Sequence, residues 1–205
     1  MKWDFKKELL EEKFSNYESI TLIGLFFLKE NIKNIEITFE TFREVKFQNC
    51  VFENVSFNNT FFAKVKFINS EFLNVNFLES NLNYVIFNNC KFTGLSLFES
   101  KLSNVLFIES KIQYSKFENN IIENSKFDDV KFLENIHRRN KYKCINFYKS
   151  DFNLDSFIDT KFKECDLKTS HFQDVSINFD DLISSKISLL NAIELITDKG
   201  ILLED

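Results

Sequence analysis

A phenylalanine or another apolar residue returns at every fifth position over most of this 205-residue chain. The column runs from Phe42 to Leu182 and has 29 positions, of which 27 are Phe, Leu or Ile. The two others are His137 and Tyr142. A period of five fits neither an α-helix, which repeats near 3.6 residues, nor a strand, which repeats at 2. Each five-residue unit is therefore predicted to be one short side of a coil, with a corner before the next unit.

The positions around this column also repeat. Two residues before the column, from Val45 to Ser110, Val (once Leu) alternates with Ser, Thr or Cys. Positions i−2 and i lie on the same side of an extended segment, so both should point inward. On a four-sided coil, Val would occupy one pair of opposing sides and the smaller residues the other pair, which packs without voids. Two residues after the column, Asn is frequent and tolerates the left-handed backbone that a corner needs.

The combination of an inward small residue, a polar residue, an inward Phe or Leu and two variable residues resembles the pentapeptide-repeat family. The resemblance covers residues 37–182 and implies an all-β solenoid, a right-handed quadrilateral β-helix with about twenty residues per coil. The usual Ala at i−2 is replaced here by Val, Ser or Cys, which predicts a different interior packing within the same fold. Short terminal helices and about seven coils, stacked over about 35 Å, complete the prediction.

Residues 1–36 lack the two-column pattern and are predicted to form an N-terminal helical cap. The apolar residues Phe5, Leu9, Leu10 and Phe14, with charges between them, favour an amphipathic helix. The segment from Ile20 to Leu28 is compatible with a helix or with an imperfect first coil. A cap is expected because the open end of a solenoid exposes unpaired strand edges.

The tail is predicted to be a helix that starts at Asp180 or Asp181 and stops near Lys199–Gly200. One face should cover the last coil, and residues 183–205 carry more apolar surface than a cap needs, including Ile201–Leu203. We therefore expect a homodimer through this segment. Its predicted contact residues are Ile187, Leu189, Leu190, Ile193, Leu195 and Ile196.

The apolar column lapses between Phe132 and Phe147, where cations cluster. Asn135 and Asn140 take inward positions here, and Asp155 lies one coil after Asn135. A buried carboxylate needs a partner such as Asn135 or His137, unless this side opens to water. The segment is interpreted either as an irregular coil with a solvated face or as a bulged basic loop that binds a partner. The candidate partner-binding residues are His137, Arg138, Arg139, Lys141, Tyr142 and Lys143.

No catalytic motif, phosphate loop or metal-ligand spacing occurs, so no enzymatic activity, cofactor or metal is expected. Cys50, Cys90 and Cys165 fall at inward i−2 positions and are interpreted as small buried residues in a reducing compartment. The net charge of −5 is spread along the chain, which disfavours direct nucleic-acid binding. Without a signal-peptide pattern or a long apolar run, a cytoplasmic protein without membrane contact is expected.

Two functions fit these observations, and a purely structural, antifreeze-like role is disfavoured by the irregular surface columns. The first is a rigid scaffold that binds a protein partner. The second comes from the resemblance alone: the quinolone-resistance members of the family have a similar length and a C-terminal dimerisation segment, imitate duplex DNA and bind DNA gyrase. The acidic rows that such mimicry would use, Glu79 with Glu99 and Glu109 with Asp129, are short and interleaved with Lys.

Overall fold

The computed structural model describes Phe5, residues 8–14, residues 21–197 and Gly200. These residues form a parallel β-solenoid of about eight turns with one short helix. Strands pair with the strand twenty residues later, as in Phe57 with Phe77 and Phe77 with Leu97. The predicted all-β solenoid with twenty residues per coil is therefore confirmed. With a coil spacing of ~4.8 Å, the stack is about 38 Å long.

Short strands build four faces, which belong to two sheets. The first sheet covers the first and second faces and consists of Leu10–Glu12, Thr21–Ile23, Leu25–Leu28, Thr41–Arg43, Lys46–Gln48, Phe61–Ile68, Asn81–Asn88, Lys101–Ser103, Leu106–Ile108, Ile121–Glu123, Lys126–Asp128, Lys141–Lys143, Asn146–Tyr148 and Lys161–Lys163. The second sheet covers the third and fourth faces and consists of Asn31–Thr38, Val51–Asn58, Glu71–Leu73, Asn76–Leu78, Lys91–Thr93, Ser96–Phe98, Lys111–Gln113, Lys116–Glu118, Lys131–Leu133, Ile136–Arg138, Asp151–Asn153, Ser156–Ile158 and His171–Gln173.

Each face contributes one buried column, and these columns begin at Leu22, Phe27, Ile32 and Ile37 for the first to the fourth face. Rings stack nearly parallel along a column, with centroids 4.9 Å apart for Phe52 and Phe72. Rings of neighbouring columns meet edge to face, as Phe67 meets Phe72 at 5.3 Å. Both arrangements are favourable for aromatic pairs, so the repeated Phe builds a continuous ordered core.

The i−2 positions point inward and alternate as predicted from residue 45 to residue 110: Val or Leu lies on the second and fourth faces, and Ser, Thr or Cys on the first and third. In the later coils the alternation is lost, since Ser115 and Ser125 lie on the fourth and second faces and Val130 on the third. Ser80 shows why a small polar residue suits this place. Its hydroxyl accepts a hydrogen bond from the backbone N–H of Thr60, at 3.1 Å, and donates to the carbonyl of Phe57, at 2.9 Å. Buried backbone groups next to a corner are satisfied in this way.

The predicted left-handed corners lie at i+2, where Asn54 and Asn74 have φ values of 53° and 51°. The side chains of this row also form a ladder, because Asn74 Nδ2 donates to Asn54 Oδ1 at 3.3 Å and Asn54 Nδ2 donates to Asn34 Oδ1 at 2.9 Å. The next corner of this row is Gly94, where a Cβ would lie 2.7 Å from Asn74 Oδ1. Lys, Glu, Tyr and Leu occupy other corners with the same positive φ, so the backbone position repeats more strictly than the residue type.

The predicted N-terminal helix is wrong for the described residues. Leu10–Glu12 is a strand that pairs with Leu25–Phe27, and Phe14 packs on Phe27 with ring centroids 5.5 Å apart. Residues 21–36 are not part of a cap but form the first coil, since Leu22, Phe27 and Ile32 continue the buried columns. This pairing covers the edge of one strand of the first coil, Leu25–Leu28, which a helix would leave unpaired.

The C-terminal helix is shorter than predicted and spans Leu189–Thr197. It begins after Ser188, whose hydroxyl accepts from the backbone N–H of Asn191 at 3.1 Å, as an N-cap does. Asp180 and Asp181 lie instead in a 3₁₀ turn, Phe179–Leu182, because the coil continues to Lys186, which bridges to Asp166. No helix in the described part of the chain is long and apolar enough to span a membrane. The predicted stop near Lys199–Gly200 lies largely outside the described residues.

Candidate functional site

The segment with the cation cluster is a coil with a solvated face, so of the two interpretations of this segment the bulged loop is wrong. Ile136–Arg138 and Lys141–Lys143 are ordinary strands of the fourth and first faces. The backbone N–H of Ile136 donates to Ser115 O at 2.9 Å, and that of Lys141 donates to Asn120 O at 2.9 Å. These bonds to the preceding coil hold the segment in register despite its changed residues.

His137 and Tyr142 point into the core and cannot contact a partner, which corrects their assignment as binding residues. Their exposed fractions are 2% and 4%. The imidazole of His137 stacks between Phe117 and Phe157, with centroid distances of 4.7 and 4.4 Å. Its Nδ1 forms a 2.7 Å hydrogen bond with the Tyr142 hydroxyl. Both residues therefore continue the aromatic columns and add polar atoms to them.

Asp155 is buried and has the partners that the sequence analysis required. Its Oδ1 accepts from the backbone N–H and the side-chain amide of Asn135, at 2.9 and 2.7 Å, and its Oδ2 accepts from Asn153 N at 3.1 Å. Nε2 of His137 lies 3.8 Å from Oδ1 and has no hydrogen bond. Burial, with the negative charge of Asp155 as a second cause, raises the pKa of Tyr142 well above its usual value. Because this cluster is buried, a binding partner can contact only the side chains on the outer surface of the solenoid.

Outside the buried cluster, the same coil and the next one present a compact group of lysines. Lys141 pairs with Lys161, and Lys143 with Lys163, in the parallel strands of the first face. All four flank an inward aromatic residue and are exposed. We call these four residues the lysine block. At spacings of about 5–7 Å in water, each pair repels by somewhat less than ~1 kcal/mol.

Sequence reasoning found half of this block and missed Lys161 and Lys163. They lie twenty residues after Lys141 and Lys143, so a comparison across one coil would have revealed them. Arg138 and Arg139, the other predicted contact cations, lie beside the block on the fourth face and at the corner, and both are exposed. Residues 131–170 together contain nine Lys and Arg against six Asp and Glu, whereas the whole chain has a net charge of −5.

Of the lysine block and the two arginines beside it, two cations already have acidic partners. Lys161 Nζ lies 2.6 Å from Asp181 Oδ1, and this hydrogen bond raises the pKa of Lys161. Arg139 pairs with Glu118. No acidic side chain in the described part of the chain lies within 4.0 Å of the charged group of Arg138, Lys141, Lys143 or Lys163. The block therefore retains charge that an acidic partner can neutralise.

The C-terminal end carries a second exposed surface, which is apolar. A groove there is lined by Phe179, Leu182, Ile183, Ile187, Ala192, Leu195 and Ile196. Of the predicted dimer contacts, Leu189, Leu190 and Ile193 are 80%, 53% and 39% exposed. Leu195 is 1% exposed and packs on the last coil, so it belongs to the core of the protomer and is no longer a candidate dimer contact. Ile201–Leu203 lie outside the described residues.

The acidic rows are as short as the sequence suggested. Glu79 and Glu99 share one corner column, and Glu109 and Asp129 share another, all with positive φ. The first row is followed by Asn119 and Arg139, and the second by Lys149, so neither continues along the solenoid. The described faces present a mixed surface without a continuous acidic stripe.

The cysteines follow the predicted inward pattern at Cys50, Cys90 and Cys165, which are buried. Burial raises the pKa of the Cys90 and Cys165 thiols to about 12. A hydrogen bond to Glu164 raises the pKa of Cys144, which is half-buried at a corner. Among residues 8–14 and 21–197, no three His, Cys, Asp or Glu side chains are grouped as metal ligands.

Residues 40–117 match a family model described as a pentapeptide repeat region. The chain contains a pentapeptide-repeat region. The solenoid continues the repeat on both sides of the matched segment, with the same twenty-residue register from residue 21 to residue 182. The resemblance drawn from the apolar column is thereby confirmed. No curated protein sequence matches the chain.

Two solved structures of low sequence identity share this β-helical fold. Two trypsin-treated forms of QnrB1, a plasmid-mediated fluoroquinolone resistance protein, are each 15% identical to the chain. One covers 90% of this chain and 100% of its own, with a TM-score of 0.65; the other covers 86% and 99%, with a TM-score of 0.59. HetL, a pentapeptide repeat protein from the cyanobacterium Nostoc, is 10% identical over 78% of this chain and 84% of its own, with a TM-score of 0.38. At these identities the QnrB1 likeness shows the fold alone.

Proposed function

We propose that this protein is a non-enzymatic, cytoplasmic scaffold that binds a protein partner through the lysine block and the neighbouring Arg138. The observation that carries the proposal is the cross-coil register of Lys141 with Lys161 and of Lys143 with Lys163. It concentrates exposed positive charge on one flat face of a chain whose net charge is −5. Complementary charge of this kind directs association and selects partners.

The solenoid suits this role because the block is held on a rigid support. Tyr142 and Phe162, which separate the paired lysines, are buried and meet edge to face with centroids 5.2 Å apart. The strands therefore hold the lysine backbones in fixed positions before a partner arrives. Binding to a preorganised surface avoids much of the entropy cost of ordering a loop.

A matched pair of charge reversals tests the proposal. Lys143→Glu with Lys163→Glu changes a stacked pair in the block, and Lys91→Glu with Lys111→Glu changes a stacked pair on the opposite, third face. All four side chains are exposed, so both variants should melt within a few degrees of the wild type. Each protein is used to capture partners from the host, and the identified partner is then titrated in purified form.

We expect the block variant to lose the partner and the third-face variant to keep it. The double substitution Arg138→Glu with Arg139→Glu should weaken binding of the same partner, since these cations border the block. Retention of the partner by all three variants would show that binding uses another surface. Equal loss in the block and third-face variants would show that net charge alone directs the interaction.

A second copy of the chain is proposed to cover the C-terminal apolar surface. The supporting observation is the cluster of Leu189, Leu190 and Ile193 beside the apolar groove, at the end of the stack where two solenoids can meet. Light scattering should give a dimer for the wild type and a monomer for Leu189→Glu with Leu190→Glu. The control Ile121→Glu, exposed on the first face, should remain dimeric. A monomeric wild type, or a dimeric double variant, would contradict this interface.

DNA mimicry directed at gyrase is the second candidate function. Support comes from the corner pairs Glu79–Glu99 and Glu109–Asp129 and from the shared fold with a fluoroquinolone resistance protein. A surface that occupies a site for duplex DNA needs a long run of negative charge, since DNA carries one charge per about 1.7 Å of axis. Rows of two residues are much shorter, so the scaffold is the preferred function.

A further inference from the structure

The geometry of the lysine block indicates the chemistry of its partner, an inference that rests on the proposed function. We infer that the block receives a short, extended peptide segment in which Asp or Glu alternates with other residues. Three features support this inference: the spacing of the lysines, the acidic groups that border them, and the hydrogen bonds that the strand backbone already makes between coils.

The spacing matches alternate residues of an extended chain. Lys141 and Lys143 lie two residues apart in one strand, on the outward side of Tyr142, and Lys161 and Lys163 repeat this around Phe162. Same-side residues of a strand are about 6.6–6.8 Å apart. In an extended peptide, the carboxylates at i and i+2 have this same separation. Two alternate carboxylates can therefore each meet one column of the block, whereas adjacent acidic residues point to opposite sides.

Acidic residues limit how far an anionic partner can extend. Glu123 lies on the coil before the block, bound by Lys101 at 2.9 Å, and Asp181 lies on the coil after it. Asp159 and Glu164 occupy the corner positions on either side of the Lys161–Lys163 strand. A long polyanion such as duplex DNA would lie against these carboxylates, but a peptide of a few residues fits between them.

The strand backbone is already used in bonds between coils. The N–H of Lys141 donates to Asn120 O and that of Lys161 to Asn140 O, both at 2.9 Å. A peptide therefore cannot bind by adding a strand to this face and must be recognised through side chains. Asp181 shows the contact that a partner carboxylate would make, since its Oδ1 meets Lys161 Nζ at 2.6 Å. Lys141, Lys143 and Lys163 remain for the partner.

Fluorescence anisotropy with three labelled probes tests the inference. The first is a peptide with Asp at alternate positions separated by Thr, the second has the same composition with all Asp adjacent, and the third is a single-stranded DNA of the same charge. Each probe is titrated with the full chain at low and at physiological salt, because surface ion pairs weaken as salt increases. The Lys143→Glu/Lys163→Glu and Lys91→Glu/Lys111→Glu proteins serve as the block variant and its matched control.

We expect the alternating peptide to bind about threefold or more tightly than the contiguous one, and the block variant to lose about tenfold in affinity while the third-face variant stays within about twofold. Equal affinity for the two peptides, stronger binding of the DNA, or no peptide binding would overturn the inference. If the host partner is still lost through the block, the scaffold function survives that result. If neither partner nor peptide depends on the block, both proposals fail.

Discussion

Replacing His137 and Tyr142 by phenylalanine, singly and together, measures what their buried hydrogen bond contributes to stability. A Phe ring at position 137 fits between Phe117 and Phe157, where the imidazole already stacks at 4.7 and 4.4 Å. Phe at position 142 removes only the hydroxyl. The two substitutions therefore change the polar atoms with little change in packing, which is the condition for a clean double-mutant cycle.

Each single substitution leaves a buried polar atom unpaired. Tyr142→Phe leaves His137 Nδ1 without its 2.7 Å partner, and Nε2 already has no hydrogen bond. His137→Phe leaves the Tyr142 hydroxyl unpaired. An orphaned buried group costs about 1–3 kcal/mol, so each single variant should lose about that much free energy of unfolding. The double variant removes both partners, and its loss should be smaller than the sum by about 1–2 kcal/mol. Any loss of unfolding free energy that remains in the double variant measures the interaction of His137 with the Asp155 carboxylate, which lies 3.8 Å away.

Denaturant unfolding at pH 7, followed by circular dichroism and by fluorescence, gives these free energies if the two signals coincide in one transition. Thermal melting provides a check, with a shift of about 2–4 °C for each kcal/mol in a chain of this size. Additive losses would refute the reasoning, because they would mean that the hydrogen bond has no coupling energy. A single variant as stable as the wild type would show that the orphaned atom finds water or another partner.

Three further predictions concern the core, the thiols and the alternative function. Phe77→Ala should cost about 3–5 kcal/mol, because Phe77 is buried and stacks on Phe57 at 5.0 Å, whereas Asn74→Ala at an exposed corner should cost only about 1 kcal/mol; equal denaturant midpoints would contradict the inward assignment. The pKa of the folded Cys90 thiol is about 12, whereas that of the unfolded thiol is near 9.0. Between these two pH values the native state binds more protons than the unfolded state. The free energy of unfolding should therefore fall there by about 1.4 kcal/mol per pH unit for each such thiol. Cys90→Ser, which matches Ser70 and Ser110 in the same column, should reduce that slope in alkaline denaturation, and an unchanged slope would mean that Cys90 is not protected. In a gyrase supercoiling assay with a salt titration, micromolar protein should not inhibit strongly; potent, salt-sensitive inhibition would favour DNA mimicry over the scaffold.

The fold could be predicted from the sequence because its signal is repeated and local. The apolar residue at every fifth position predicts which side chains are buried. The small polar residues at i−2 predict where a hydroxyl or thiol forms hydrogen bonds with backbone groups. Even the partner of Asp155 could be predicted, since Asn135 stands one coil before it and a buried carboxylate must be satisfied. Here the periodicity and the rule of polar satisfaction agree.

The ends and the site were harder to predict because their determinants are not periodic. Leu9 and Leu10 suit an amphipathic helix, yet Leu10–Glu12 is a strand because the first coil offers an edge to pair with. The surface assignment of His137 and Tyr142 is wrong because their positions in the apolar column place both side chains inside. Lys161 and Lys163 do not belong to the charge cluster along the chain, because the solenoid brings together residues that are twenty positions apart.

The unbroken twenty-residue register fixes distances along the solenoid axis in equal steps of one coil. From residue 21 to residue 182 the coils carry no inserted loop, so the N-terminal strand and the C-terminal helix are separated by a whole number of steps of ~4.8 Å. Removing or duplicating one coil, such as residues 81–100, would change the distance between the lysine block and the N-terminal end by one step. Every side-chain column would stay on its own face, so length can vary while the direction of the binding surface is kept.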